Sequence, residues 1–197
     1  MPMQSLVSTL VPDGRLVYDW PPYGLGSNRR GSGGRLSIEK PVAATDALVV
    51  ALKAEGRAAA KRLAALGRVD SAGPHRWTLR LDAPARDPRQ AWRAVLAENP
   101  EADWVAPAYR DASGHELLPT GAVVVRFRKK PSDSALLAFA RDEALELDRR
   151  NEFVPEQATY HPKQPREVYL PDLVAKLSSR PEVAAAWPAT SSLYRKA

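Results

Sequence analysis

Two stretches decide the fold: TDALVVALK at 45–53 and TGAVVVRFR at 120–128. Each opens on Thr, carries Ala two places on, and continues into an apolar run centred on Val. A second pair follows in the same order, NPEADWVAPA at 99–108 and RPEVAAAWPA at 180–189, with prolines at matching separation: Pro100 and Pro107, then Pro181 and Pro188. Each of these is preceded by a helix-like run, RQAWRAVLAE at 89–98 and LPDLVAKLSS at 170–179. Two matches in the same order identify an internal repeat of roughly 70–80 residues.

The repeat settles an ambiguity. Taken alone, 45–66 has Leu48, Leu52, Leu63 and Leu66 on one helical face. Its partner, Val123-Val124-Val125-Arg126-Phe127, is β-branched and aromatic and suits a strand. Gly56 would also weaken a helix near its middle. The first repeat is therefore expected to have strands at 47–53, 68–71, 76–81 and 102–106, with helices at 57–66 and 88–98. Gly67 stops the first helix, and Asp87-Pro88 opens the second with a capping residue before a first-turn proline. The second repeat is expected to have strands at 122–128, 145–150, 166–170 and 183–187, with helices at 132–142 and 171–178.

The order β-α-β-β-α-β, met twice, predicts an α+β chain of two ferredoxin-like domains in tandem. The expected division is an N-terminal segment at 1–40, domains at 41–111 and 120–189, a linker at 112–119 and a tail at 190–197. In the N-terminal segment, Arg15–Trp20 and Arg35–Lys40 are expected to form a β-hairpin packed on the first domain, around the flexible loop GLGSNRRGSGG at 24–34. That loop lacks the Gly-Lys-Ser/Thr ending and following helix of a phosphate-binding loop. With both helices on one sheet face, the other face is solvated or covers a partner. Alternation places Val123, Val125 and Phe127 toward the helices, and Val124, Arg126 and Arg128 toward a partner. Trp92 and Leu96 are expected to match Leu173 and Leu177, all facing their sheets.

Composition bounds the chemistry. The chain has 197 residues, 44% of them hydrophobic and 26% charged, enough for a packed core. No apolar run approaches the ~18 residues of a membrane span, and Met1–Pro12 does not resemble a secretory signal. These readings predict a cytoplasmic protein. Cysteine is absent, which removes disulfides, thiol nucleophiles and thiolate metal sites. The three histidines, His75, His115 and His161, are expected in a turn, the linker and a proline-rich loop. No Gly-x-Ser-x-Gly elbow or metal-binding helix motif occurs. No catalytic residue, cofactor or metal ligand is therefore assigned, and the chain is expected not to be an enzyme.

The endings and openings of the repeats, PEADWVAPAYRD at 100–111 and TGAVVVRFRKKPSDSAL at 120–136, resemble subtilisin-type propeptides. They are similar to the tandem prodomains of bacterial subtilisin-like serine proteases, in which a DGRL-type start, here Asp13-Gly14-Arg15-Leu16, precedes two such units. The resemblance covers about residues 13–189. It implies a propeptide-like inhibitor or folding chaperone, monomeric alone and heterodimeric with its protease. The chain would be a stand-alone companion or a piece released at a processing site. It further implies binding through the sheet face and through a tail, Ser192, Leu193, Tyr194, Arg195, Lys196 and Ala197, lying in the protease cleft. The last strand departs from the family pattern: Val183–Pro188 has no acid to cap protease helices, whereas the first repeat has Asp103 in that region. The net charge of +6 keeps an alternative open, a non-catalytic nucleic-acid-binding or regulatory subunit that uses the same face. Against nucleic acid, the strands at 76–81 and 166–170 carry single aromatics, Trp77 and Tyr169, rather than a base-stacking pattern.

Overall fold

The computed structural model describes residues 8–10, 16–18, 41–53, 57–73, 75–82, 87–111 and 114–191. A short hairpin, β1 (Ser8–Leu10) and β2 (Leu16–Tyr18), comes first. The first β-α-β-β-α-β set is β3 (Val42–Leu52), α1 (Arg57–Ala64), β4 (Gly67–Gly73), β5 (Arg76–Leu81), α2 (Pro88–Glu98) and β6 (Ala102–Arg110). The second is β7 (Glu116–Phe127), α3 (Asp133–Asp142), β8 (Leu145–Arg150), β9 (Gln157–Pro162), α4 (Leu170–Ser178) and β10 (Val183–Ser191). Residues 45–66 thus divide into a strand and a separate helix.

Local chemistry explains the boundaries. Asp87 accepts a hydrogen bond from the Arg89 amide at 2.9 Å, satisfying a free N–H at the start of α2, and Pro88 occupies the turn where a missing N–H costs nothing. Ser132 does the same for α3 through the Ala135 amide at 3.2 Å. His75 joins β4 to β5 with φ of 56°, the left-handed value a tight turn requires.

All strand pairs are antiparallel, and the fold is α+β. The first set runs β6-β3-β5-β4 across its sheet and the second β10-β7-β9-β8, so both follow the order fourth, first, third, second. The two are continuous through the β6–β7 hairpin, where Tyr109 pairs with Leu117 and Arg110 with Glu116. Each set has its own core under its helices. Leu48, Val50, Leu63, Leu79, Trp92 and Val95 fill the first. Val123, Val125 and Phe127 meet Leu136, Phe139 and Leu177 in the second, so the predicted helix-facing side of β7 is the observed one.

The two sets also exchange aromatics. Tyr109 from β6 is buried in the second core, and Tyr169, just before α4, packs against the first. The Tyr169 ring lies 5.5 Å from Trp92, with the Arg89 guanidinium 5.3 Å from its centroid. Arg89 also pairs with Asp172. Arg166 reaches across to the end of α2, donating to the carbonyls of Leu96 (3.1 Å), Asn99 (3.1 Å), Pro100 (2.9 Å) and Ala102.

Several expectations need correction. The third strand of the second set is 157–162, not 166–170. Residues 166–169 form the approach to α4, because Pro171 in the first turn of the helix gives the chain a start there. His161 accordingly lies on a strand. The last four residues of the expected linker, 116–119, are strand and extend β7 alongside β6. The N-terminal hairpin pairs Leu16–Tyr18 with Ser8–Leu10 and extends the second set, with Tyr18 opposite Thr190 and Val17 opposite Ser191. Residues 35–40 and the loop 24–34 lie outside the described residues. On α2, Val95 is the deeply buried partner of Trp92 and Leu96 is half-buried.

Candidate partner-binding surfaces

The sheet face opposite the helices was the first candidate, and its apolar centre is closed. In the second set, Val124 stands opposite Trp187 on β10 and Thr159 on β9. It is 1% exposed in a cluster with Ala122, Trp187 and Ala189. Val124 therefore lies inside an apolar cluster rather than on the open surface. Arg126 is half-buried at the margin of this cluster, opposite Ala185 and Gln157. Arg128 follows the end of β7, is exposed, and donates through Nε to the Pro181 carbonyl at 2.9 Å. Trp187 is buried, so it offers no stacking platform for a base.

The first set behaves alike. Ala47, Val49 and Thr78 on its non-helical face are buried, with Ala108 of β6 and Leu118 of β7 in the same cluster. Trp104 packs at the edge of this cluster and touches the second core. Gly121 lies under the Trp104 ring. A Cβ there would stand 2.7 Å from it, and the φ of 87° at Gly121 is one that residues with side chains rarely adopt.

Charges frame the closed face. Arg80 forks onto Glu116 with two bonds of 2.9 Å and lies 3.6 Å from Asp70. Arg110 donates to both Asp46 oxygens at 2.7 and 2.8 Å. The hydrogen bond from Arg110 holds the Asp46 carboxyl below its usual range against an opposing desolvation effect. These pairs bridge β3 to β6 and β5 to β7, so their chemistry is that of a clasp between strands.

The remaining candidates are dispersed. The His115 ring lies 3.2 Å from Asp111 in the β6–β7 hairpin, and His161 lies 3.9 Å from Asp148 across β8 and β9. Among the described residues, no group of three or more His, Asp or Glu is arranged to hold a metal ion, and no helix is long and apolar enough to cross a membrane. Burial raises the hydroxyl pKa of Tyr109 and of Tyr160, so both stay neutral at physiological pH. The tail residues Ser192–Ala197 lie outside the described residues, and the last described strand ends at Ser191.

A feature absent from the sequence reading is a half-open cleft of about 510 Å³ between α3, the β7–α3 loop and the α4–β10 turn. Its residues are scattered in sequence (127–131, 135–142 and 180–182), and only the Lys129-Lys130 pair hinted at it.

No protein-family model, curated protein or solved structure matches this chain.

Proposed function

We propose that the chain is a propeptide-like inhibitor, folding chaperone or both of a subtilisin-like serine protease, made of two ferredoxin-like domains in tandem and forming a heterodimer with that protease in the cytoplasm. The observation that carries this reading is the strand order fourth, first, third, second, with both helices on one face, occurring twice in one chain. It joins the sequence resemblance at 100–111 and 120–136. The closed face shifts the proposed contact away from Val124, toward Arg128 and the tail Ser192–Ala197 that follows β10. In this reading the tail docks as an added strand in the protease cleft. There the Tyr194 ring, the large aromatic side chain of the tail, enters an apolar pocket of the cleft.

Burying the Tyr194 ring contributes about 1.5–3 kcal/mol, so its loss weakens inhibition by roughly 10- to 100-fold. The test compares inhibition constants toward a subtilisin-like protease for the intact chain, a version ending at Ser191, and Tyr194→Ala. Ending at Ser191 preserves all the described pairs of β10. The expected result is strong loss for the truncation and intermediate loss for the substitution. Equal constants for all three would refute a role for the tail. Absence of inhibition by the intact chain would refute the proposed function.

A further inference from the structure

The cleft beside α3 combines two chemistries, an apolar floor and a cationic rim. Its floor is apolar: the Phe127 and Phe139 rings meet edge to face, centroids 5.1 Å apart, and Ala135 and Ala138 continue the flank of α3. Its rim is cationic, with Arg128, Lys129, Lys130 and Arg180 against only Asp142 and Glu182. Both acids already have partners. Glu182 lies 3.0 Å from Arg180, and Asp142 lies 3.6 Å from Arg141. Arg128 is held by the Pro181 carbonyl, and Arg180 turns partly inward to Glu143 at 3.4 Å. Lys129 and Lys130 are exposed and have no ion-pair partner among the described residues. The volume of about 510 Å³ falls in the range of small-molecule sites.

From this charge and shape we infer that the cleft is a binding site for a free amphiphilic carboxylate, its apolar body on the Phe127–Phe139 floor and its carboxylate between Lys129 and Lys130. A cation of the same shape would meet the excess positive charge and be repelled. A neutral one would gain the floor but not the rim. The Lys129-Lys130 end lies immediately before the Ser132 cap of α3, so the same end carries the positive pole of the helix. The site does not involve the tail and shares only Arg128 with the proposed protease contact.

The experiment titrates octanoate, octanol and octylamine into the intact chain, following backbone amide shifts by NMR. Octanoate is expected to give saturable shifts confined to 127–132, the cleft-facing side of α3 and 180–182. Octanol should bind about tenfold more weakly and octylamine not at all. The double variant Lys129→Glu/Lys130→Glu should weaken octanoate about tenfold and leave octanol unchanged. Ala135→Trp, at an exposed position lining the cleft, should abolish binding of both while preserving the rest of the spectrum. Equal affinity for octanoate and octanol, shifts centred elsewhere, undiminished binding to Ala135→Trp, or no saturable binding would each overturn the assignment.

Discussion

Removing the Arg166 guanidinium should loosen the joint between the two halves of the molecule. A helix leaves its last carbonyls without partners, and α2 ends against the other half of the chain, where water has restricted access. One side chain supplies donors to the Leu96 carbonyl in the last turn, to that of the cap residue Asn99, and to those of Pro100 and Ala102 in the turn into β6. A hydrogen bond from a charged donor contributes about 1.5–3 kcal/mol when buried. Three of the four contacts are half-buried and the one to Pro100 is exposed, so water restores part of what is lost. The attraction of a cation to the helix C-terminus adds about 0.3–1 kcal/mol. Arg166→Ala is therefore expected to destabilise the chain by about 2–3 kcal/mol, lowering Tm by roughly 4–12 °C for a protein of this size. Arg166→Lys should recover only a minor part, because an ammonium presents a point charge rather than a planar fork. The assay is urea unfolding of the three proteins, followed by far-UV circular dichroism and by tryptophan fluorescence, to which Trp77, Trp92 and Trp104 of the first set contribute. A loss below about 0.5 kcal/mol for Arg166→Ala would show that solvent satisfies these carbonyls equally well, and full recovery by lysine would refute the role of the fork.

Glu143 is buried and receives Lys176 at 2.9 Å and Arg180 at 3.4 Å, but Lys176 stays largely exposed and Arg180 keeps Glu182 at 3.0 Å, so Glu143→Ala should cost only about 1 kcal/mol in urea unfolding; a loss of about 3 kcal/mol or more would show that the two cations depend on Glu143 alone. Because Arg110 depresses the Asp46 pKa, that pair stabilises the fold above the usual aspartate value of 3.8 and loses its contribution as pH falls through the lower folded value. Asp46→Asn should therefore show a shallower loss of stability in that acidic window, and parallel profiles would contradict the coupling. Gly121→Ala should destabilise by about 1–3 kcal/mol through its left-handed backbone and the Trp104 ring above it, and adding Trp104→Ala should recover the steric part, which a double-mutant cycle measures.

How legible these features were depends on the distance over which their causes act. The third strand of the second half was misplaced because two short segments competed for it. Glu167-Val168-Tyr169-Leu170 has the more strand-like composition, whereas Gln157–Pro162 carries a histidine and ends in proline. What decides between them is pairing. Ala158 and Tyr160 enter the core opposite Val125 and Val123, while Pro171 commits the later segment to a helix start. The closed sheet face did leave a trace. Ala47-Leu48-Val49-Val50-Ala51-Leu52 is apolar without alternation, the mark of a strand buried on both sides.

The sequence by itself determined the repeat, the α+β class, the division of 45–66 into strand and helix, and the helix-facing side of β7. These follow from side-chain periodicity, turn residues and caps, which act within a few residues. Only the tertiary structure decided that β2 joins β10, that Val124 is covered, that Tyr109 and Tyr169 trade places between the two cores, that Arg166 closes the end of α2, and that a cationic cleft opens beside α3. Each of these depends on residues far apart in the chain meeting at one point, and burial, charge pairing and shape arise only there.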